Sequence, residues 1–139
     1  MGWLGWALLS AAFAAATAIL AKIGIQGIDS NLATAIRTSV ILVFTWAIVL
    51  ATNPGFSLAG VSRRAWLFLT LSGLATGLSW LCYFRALQLG QASRVAPVDK
   101  LSVVFAILLA ALVLHEKLEW RHWIGGALIV SGALILAWK

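Results

Sequence analysis

Five apolar stretches, each long enough to cross a lipid bilayer, follow one another along the chain. About 20 helical residues cross the roughly 30 Å of hydrocarbon in a membrane. Because lipid offers the backbone no hydrogen bonds, a spanning stretch of this length must satisfy its own polar groups as a helix. The sequence therefore predicts an all-α integral membrane protein of one domain, residues 1–139, with five transmembrane helices at about residues 3–21, 32–51, 66–89, 96–114 and 120–138.

The composition argues against a soluble domain. Of the 139 residues, 63% are hydrophobic and 10% are charged, whereas a soluble domain is about half apolar and about a quarter charged. The net charge is +6, but the basic residues stand mostly singly between apolar stretches, as in the loops and helix ends of membrane proteins. We expect a multi-pass protein of an inner or plasma membrane, with the lipid bilayer as a partner and no nucleic acid.

The sequence offers no group of residues that would carry out a covalent reaction. Its one cysteine, Cys82, lies inside an apolar stretch, and no nucleophile and base form a recognisable pair. His115 and His122 lack the further ligands that a metal site needs. We therefore predict that the chain is not an enzyme, and that it has no catalytic residue, metal site or cofactor.

The fourth apolar stretch carries an acid and a base, Asp99 and Lys100, directly after Pro97 and Val98. Ionisable groups in a membrane cost about 2.5–3.5 kcal/mol each on insertion scales, so they tend to be functional. We expect Pro97 at the first helical position, which places Asp99 in the first turn, where the helix dipole favours a carboxylate. Either Asp99 takes up a proton or a cationic substrate, with Lys100 as a balancing charge, or Asp99 only partners the dipole and Lys100 only reaches the headgroups.

A second base lies inside an apolar stretch. Arg37 is about two turns into the second predicted helix. Either its side chain extends back to the headgroups, or it faces the other helices and meets an anion. In the second case Arg37 would be a further charge that balances Asp99.

The third predicted helix carries an aromatic stripe. Trp80, Tyr83 and Phe84 follow Thr76 at helical spacing, and Arg85 comes next in the chain. Such a stripe is packing or an interface belt, or else the wall of a pocket. Because Trp80 and Tyr83 combine a large apolar face with a polar atom, they are the residues that we expect to line a substrate path. Arg85 is a further candidate for that path.

Small residues recur at helical spacing in two of the predicted helices. They allow the backbones of two helices to approach closely. We expect them to form helix–helix contacts within one chain or between two chains. The residues are Gly73 and Gly77 in the third helix, and Gly125, Gly126, Ser131 and Gly132 in the fifth.

The charges flanking the predicted helices give little preference for one orientation in the membrane. Five spans place the termini on opposite sides. With Arg37 and Lys100 set aside as intramembrane residues, the two sides carry equal numbers of Lys and Arg, and it is their bias that sets orientation. We therefore expect that the chain inserts both ways and pairs as an antiparallel homodimer. The charges that remain are Arg63, Arg64, Lys117 and Arg121 on one side, and Lys22, Arg85, Arg94 and Lys139 on the other.

The second half of the chain resembles an EamA domain of the drug/metabolite transporter superfamily. The resemblance lies in YFRALQLGQASRVAPVDKLSVVFAILLAALVLHEKL, followed by WIGGALIVSGALIL. Lys22 and the Arg37 that follows it also match, so the resemblance covers essentially the whole chain.

This resemblance implies one EamA-type repeat of an inverted-repeat transporter, similar to the short five-helix branch of the family. Most members carry two such domains in inverted orientation, around a central cavity lined by the first four helices of each half. The resemblance implies transport of a small metabolite or drug-like molecule by alternating access. The rival hypotheses are an accessory or structural membrane subunit, and a component of a flippase for a lipid-linked substrate.

Overall fold

A computed structural model describes residues 2–53 and 55–138 of the chain. The described part consists of helices and the turns that connect them. Met1, Pro54 and Lys139, the last of which is one of the charges counted for membrane orientation, lie outside the described residues. The helices are α1 (Trp3–Gly24), α2 (Ser30–Thr52), α3 (Arg63–Leu89), α4 (Ala92–Asp99), α5 (Ser102–Val113) and α6 (Trp120–Ala137), with a 3₁₀ turn at Leu58–Gly60.

Within the described residues, five segments are long and apolar enough to cross a membrane. Four of them are single helices, α1, α2, α3 and α6, and the remaining one, Ala92–Val113, consists of α4 and α5 together. At most 11% of the apolar window of any segment is buried. Apolar side chains left this exposed require lipid as their solvent, which confirms the prediction of an all-α membrane protein with five spans.

One compact unit of the chain runs from Ile23 to Gln88 and contains α2 and α3. Asp29 caps α2, because its carboxylate accepts hydrogen bonds from two backbone N–H groups of the first turn, at 2.8 and 3.0 Å. The turn before it needs Gly27, whose φ of 78° lies in the left-handed region. At the other end of the unit, the Gln88 side-chain amide donates to the carbonyl of Ile28 at 2.7 Å. The start of α2 and the end of α3 are thereby tied together.

The other compact unit comprises residues 2–22 and 89–138. Its centre is α6, which packs against both α4 and α5. The α6 residues Gly126 and Ala133 are buried. The helix begins with a capping box in which the Glu119 N–H donates to Nδ1 of His122 at 2.9 Å.

Candidate functional site

The fourth span is interrupted near Lys100. Pro97 lies in the last turn of α4, where proline offers no N–H and its ring clashes with the carbonyl four residues earlier. The next two turns are closed by hydrogen bonds to the carbonyl three residues earlier, a 3₁₀ geometry that often marks a hinge. At 3.0–3.1 Å, these bonds are donated by the N–H groups of Lys100, Leu101, Val103 and Val104.

The expected position of Pro97 at the first turn of the helix is wrong. Because α4 begins at Ala92, Pro97 is its sixth residue and Asp99 its last. Asp99 therefore sits at the negative end of the α4 dipole, which does not favour a carboxylate. It also lies five residues beyond Arg94, or about 8 Å further along a helix axis. The acid and the base are therefore inside the span, and not at its end.

Asp99 and Lys100 form an ion pair at this interruption. The distance from Asp99 Oδ2 to Lys100 Nζ is 3.5 Å. The carboxylate side chain is 35% exposed and the lysine side chain 58% exposed. The contact is long for a charge-assisted hydrogen bond, which is about 2.7–2.9 Å when strong. The pair thus lowers the cost of placing two charges in the span while leaving each able to exchange its partner.

In the Ile23–Gln88 unit, the Arg37 guanidinium lies against two aromatic rings. The Cζ of Arg37 is 4.1 Å from the centroid of the Trp80 ring and 5.6 Å from that of Phe84. Trp80 and Phe84 are four residues apart, so they share one face of α3. Tyr83 lies beside Phe84, with ring centroids 6.5 Å apart in an edge-on arrangement. We call these four residues the Arg37 cluster.

The cluster shows which way Arg37 points. Its side chain meets the neighbouring helix α3 instead of extending along α2 to the headgroups. Among residues 23–88 the one carboxylate is that of Asp29, which is eight residues before Arg37, about 12 Å along the helix, and caps α2. Within this unit the cation is therefore stabilised by ring faces, a contact worth about 2 kcal/mol when desolvated.

The chain matches a known transporter family over almost its entire length. The model of the EamA-like transporter family covers residues 1–138. The chain belongs to the EamA-like transporter family. This confirms the resemblance seen in the sequence.

Individual relatives of this EamA-like protein carry transport-related names. An uncharacterized transporter in the cobO 3'region of Sinorhizobium sp is 57% identical over 135 residues, 97% of this chain and 96% of the relative. The probable 4-amino-4-deoxy-L-arabinose-phosphoundecaprenol flippase subunit ArnE of Pseudomonas fluorescens is 38% identical over 76 residues, 54% of this chain and 64% of the relative. The protein of the same name in Salmonella paratyphi B is 34% identical over 86 residues, 62% of this chain and 77% of the relative. No solved structure matches the chain.

The structure brings some of the sequence-predicted site residues of this EamA-like protein together. Arg37 meets Trp80 directly, and Tyr83 adjoins the same cluster through Phe84. Asp99 and Lys100 meet each other in the second unit. Arg85 instead donates from Nη1 to Oε1 of Gln88 at 3.1 Å. Because Gln88 in turn holds the Ile28 carbonyl, the contact that Arg85 makes is a brace for the start of α2.

The contacts of Lys22 and Phe84 were not predicted from the sequence. Lys22 Nζ donates to the carbonyl of Gly90 at 2.7 Å, where a cation stabilises the negative end of α3. Phe84 is 3% exposed and forms the second ring against Arg37. A lysine at the end of an apolar stretch is indistinguishable from an ordinary interfacial charge, so no sequence signal revealed its partner. Phe84 belonged to the aromatic stripe, but its lack of a polar atom excluded it from the candidates.

The small residues of this EamA-like chain present open faces. A Cβ built on Gly73, Gly77, Gly125, Gly126 or Gly132 would meet no heavy atom within 4 Å outside its own helix backbone and chain neighbours. Ser131 Oγ donates to the Ala127 carbonyl of its own helix at 2.8 Å, and Ser131 also borders an open apolar groove of about 620 Å³ on α6. Gly126 is buried, and the faces around the other small residues are open to lipid or to a second chain.

Proposed function

We propose that this chain is one protomer of a secondary transporter in the cell membrane that moves a small metabolite or drug-like molecule by alternating access. Membership of the transporter family and five apolar spans support this proposal. The observation that carries it is the interrupted fourth span with an ion pair inside it. Secondary transporters place their substrate and coupling-ion sites at such discontinuous helices, between inverted repeats.

The interruption provides a mechanism for coupling an ion to a movement. The 3₁₀ turns between Pro97 and Val104 let α4 and α5 change their mutual angle without breaking longer helical ladders. When a proton or a cationic group occupies Asp99, the carboxylate releases Lys100. The freed ammonium then favours a conformation in which it reaches the headgroups or an anion. In this way, the binding of a proton or a cation at Asp99 is coupled to the angle between α4 and α5.

The inverted repeat comes, in this proposal, from a second copy of the chain in the opposite orientation. The balanced Lys and Arg counts on the two sides allow both insertions. The open glycine faces on α3 and α6 provide surfaces on which helices of the partner can pack closely.

Orientation in cells is the first test. A Lys139→Cys substitution in a Cys82→Ser background is labelled with a membrane-impermeant thiol reagent before and after permeabilisation. We expect about half of the molecules to react from outside. Labelling from one side alone would exclude the antiparallel homodimer.

The role of Asp99 can be tested before the substrate is identified. A Leu101→Cys substitution in the same background places a reporter thiol at the interruption, and its alkylation rate is followed as a function of pH. The alkylation rate depends on pH in part through the ion pair, and we expect Asp99→Asn to remove that part of the dependence. The matched control is Asp29→Asn, which keeps the cap on α2. Equal pH profiles for the parent and the Asp99→Asn variant would exclude the carboxylate as the coupling group.

A second candidate function is a component of a flippase for a lipid-linked substrate. The partial similarity to flippase subunits of Pseudomonas fluorescens and Salmonella paratyphi B favours it. Undecaprenyl phosphate added to proteoliposomes on one side distinguishes the two candidates. Its appearance on the other side would support the flippase, and movement of water-soluble solutes alone would support the small-molecule transporter.

A further inference from the structure

We infer that the Arg37 cluster is a binding site for an oxyanion, a phosphate or a carboxylate, carried by the molecule that the protein recognises. Only one part of this inference rests on the proposed function, namely that the bound molecule is the one that is transported. The binding itself is a separate property of the Ile23–Gln88 unit. Its basis is the combination of an intramembrane cation, two ring faces and the absence of a nearby carboxylate in the same unit.

The charge balance of this unit leaves Arg37 in need of an anion. From Ile23 to Gln88 the sequence has one acid, Asp29, and four bases, all of them arginines. The carboxylate of Asp29 is engaged by two backbone N–H groups at the start of α2. Arg85 has the side chain of Gln88 as its partner. Among the described residues, Arg37 contacts the ring faces of Trp80 and Phe84, although a cation in a membrane span pairs best with an opposite charge.

The rings hold the guanidinium in a way that suits anion binding. A guanidinium has five N–H donors along its edges, and contacts with two ring faces leave several of these donors available. Those edges match the two oxygens of a carboxylate or a phosphate in a bidentate arrangement. The rings therefore satisfy the charge of Arg37 without occupying the donors that recognise an oxyanion.

The position of the guanidinium is also set in advance. Phe84 is 3% exposed, and Leu87, one turn along on α3, is fully buried. The rings therefore stand on a buried part of α3, while Arg37 itself stays partly accessible. A donor group that is already ordered loses less conformational entropy when a ligand binds. This favours a binding role over simple packing, for which an uncharged residue would avoid the cost of a charge in the span.

The test is ligand binding by the full-length protein in an uncharged detergent, read from thermal stabilisation and from titration calorimetry. The probes are phosphatidic acid, inorganic phosphate and benzoate, with diacylglycerol as the uncharged match of phosphatidic acid. We expect saturable binding of at least one oxyanion and none of diacylglycerol. Binding of phosphatidic acid alone would identify a lipid-borne phosphate, and binding of phosphate or benzoate a water-soluble ligand. The absence of binding by all three oxyanions would overturn the proposal.

Variants assign the binding to the cluster. We expect Arg37→Gln to weaken binding about tenfold or more, as for the loss of hydrogen bonds to a charged group. Arg63→Gln, which changes an exposed arginine of the same unit outside the cluster, should bind as the parent does. If Arg37→Gln does not fold, Arg37→Lys keeps the charge and loses the bidentate geometry, and we expect it to bind about tenfold more weakly. Undiminished binding in a folded Arg37 variant would overturn the proposal. One-sided insertion in cells would exclude the antiparallel transporter and leave this site intact.

Discussion

A double-mutant cycle between Arg37 and Trp80 measures how strongly the aromatic rings hold the intramembrane cation. The Cζ-to-centroid distance of 4.1 Å lies well inside the limit of about 6 Å for a cation–π contact. Such a contact is worth about 2 kcal/mol when desolvated and about 0.5–1 kcal/mol when exposed. Arg37 is partly buried, so we expect a coupling energy of about 1–2 kcal/mol. Phe84, at 5.6 Å, is present in all four proteins and cancels from the cycle.

The cycle compares the parent, Arg37→Gln, Trp80→Leu and the double variant by their free energies of unfolding in one detergent. The same cycle on Arg64 and Phe68 serves as a control, because that cation–π pair lies at 5.8 Å and both residues are exposed. We expect its coupling energy to be below about 1 kcal/mol. If the effects of Arg37→Gln and Trp80→Leu simply add, the ring does not hold the cation and the reasoning about the cluster is wrong.

Three further outcomes follow from single contacts. Pro97→Ala should restore a backbone N–H and add about 1 kcal/mol to the free energy of unfolding, measured in detergent. In the Leu101→Cys background it should also slow alkylation of the thiol, and an unchanged rate would show that proline does not cause the interruption. Lys22→Met should lower the free energy of unfolding by about 1.5–3 kcal/mol, measured by thermal or chemical unfolding, because the Gly90 carbonyl loses a charged donor. Lys22→Arg should recover part of this loss. Equal stability of the parent and both variants would contradict the contact. Gly132→Ala should leave the folding of the protomer unchanged, since a Cβ there meets nothing within 4 Å, while reducing cross-linking between copies if α6 packs closely against a partner.

The spans could be predicted from the sequence because lipid leaves the backbone little choice. A long apolar stretch in hydrocarbon satisfies its N–H and C=O groups as a helix, whatever the surrounding chain does. The start of α4 could not be predicted in the same way. Its N-cap residue is Gln91, which makes no side-chain cap hydrogen bond, so Ala92 carries no start signal. A proline suits the first turn of a helix, so the sequence predicts a helix start near Pro97, whereas in the structure Pro97 lies in the last turn of α4.

The environment of Arg37 shows a second limit of the sequence. The spacing of Trp80 and Phe84 correctly predicts that they share a face of α3. Which helix that face meets depends on tertiary packing, and so the choice between the headgroups and the bundle stayed open for Arg37. Gln88, the partner of Arg85, illustrates the same point. Its contact with Arg85 lies within one helix, but its contact with the Ile28 carbonyl depends on tertiary packing.

The division of the fourth span also makes this protein sensitive to the thickness of its membrane. The segment has 22 residues, with eight in α4, twelve in α5 and two between them, so it would rise about 33 Å as one straight helix. It crosses about 30 Å of hydrocarbon when the two helices are nearly collinear, and a bend between them shortens its reach. A thicker bilayer of longer acyl chains draws the segment straight, and a thinner one accommodates a bend at Lys100, each at a fraction of a kcal/mol per Å. Acyl-chain length would then bias the angle at the ion pair in the same way that a ligand does.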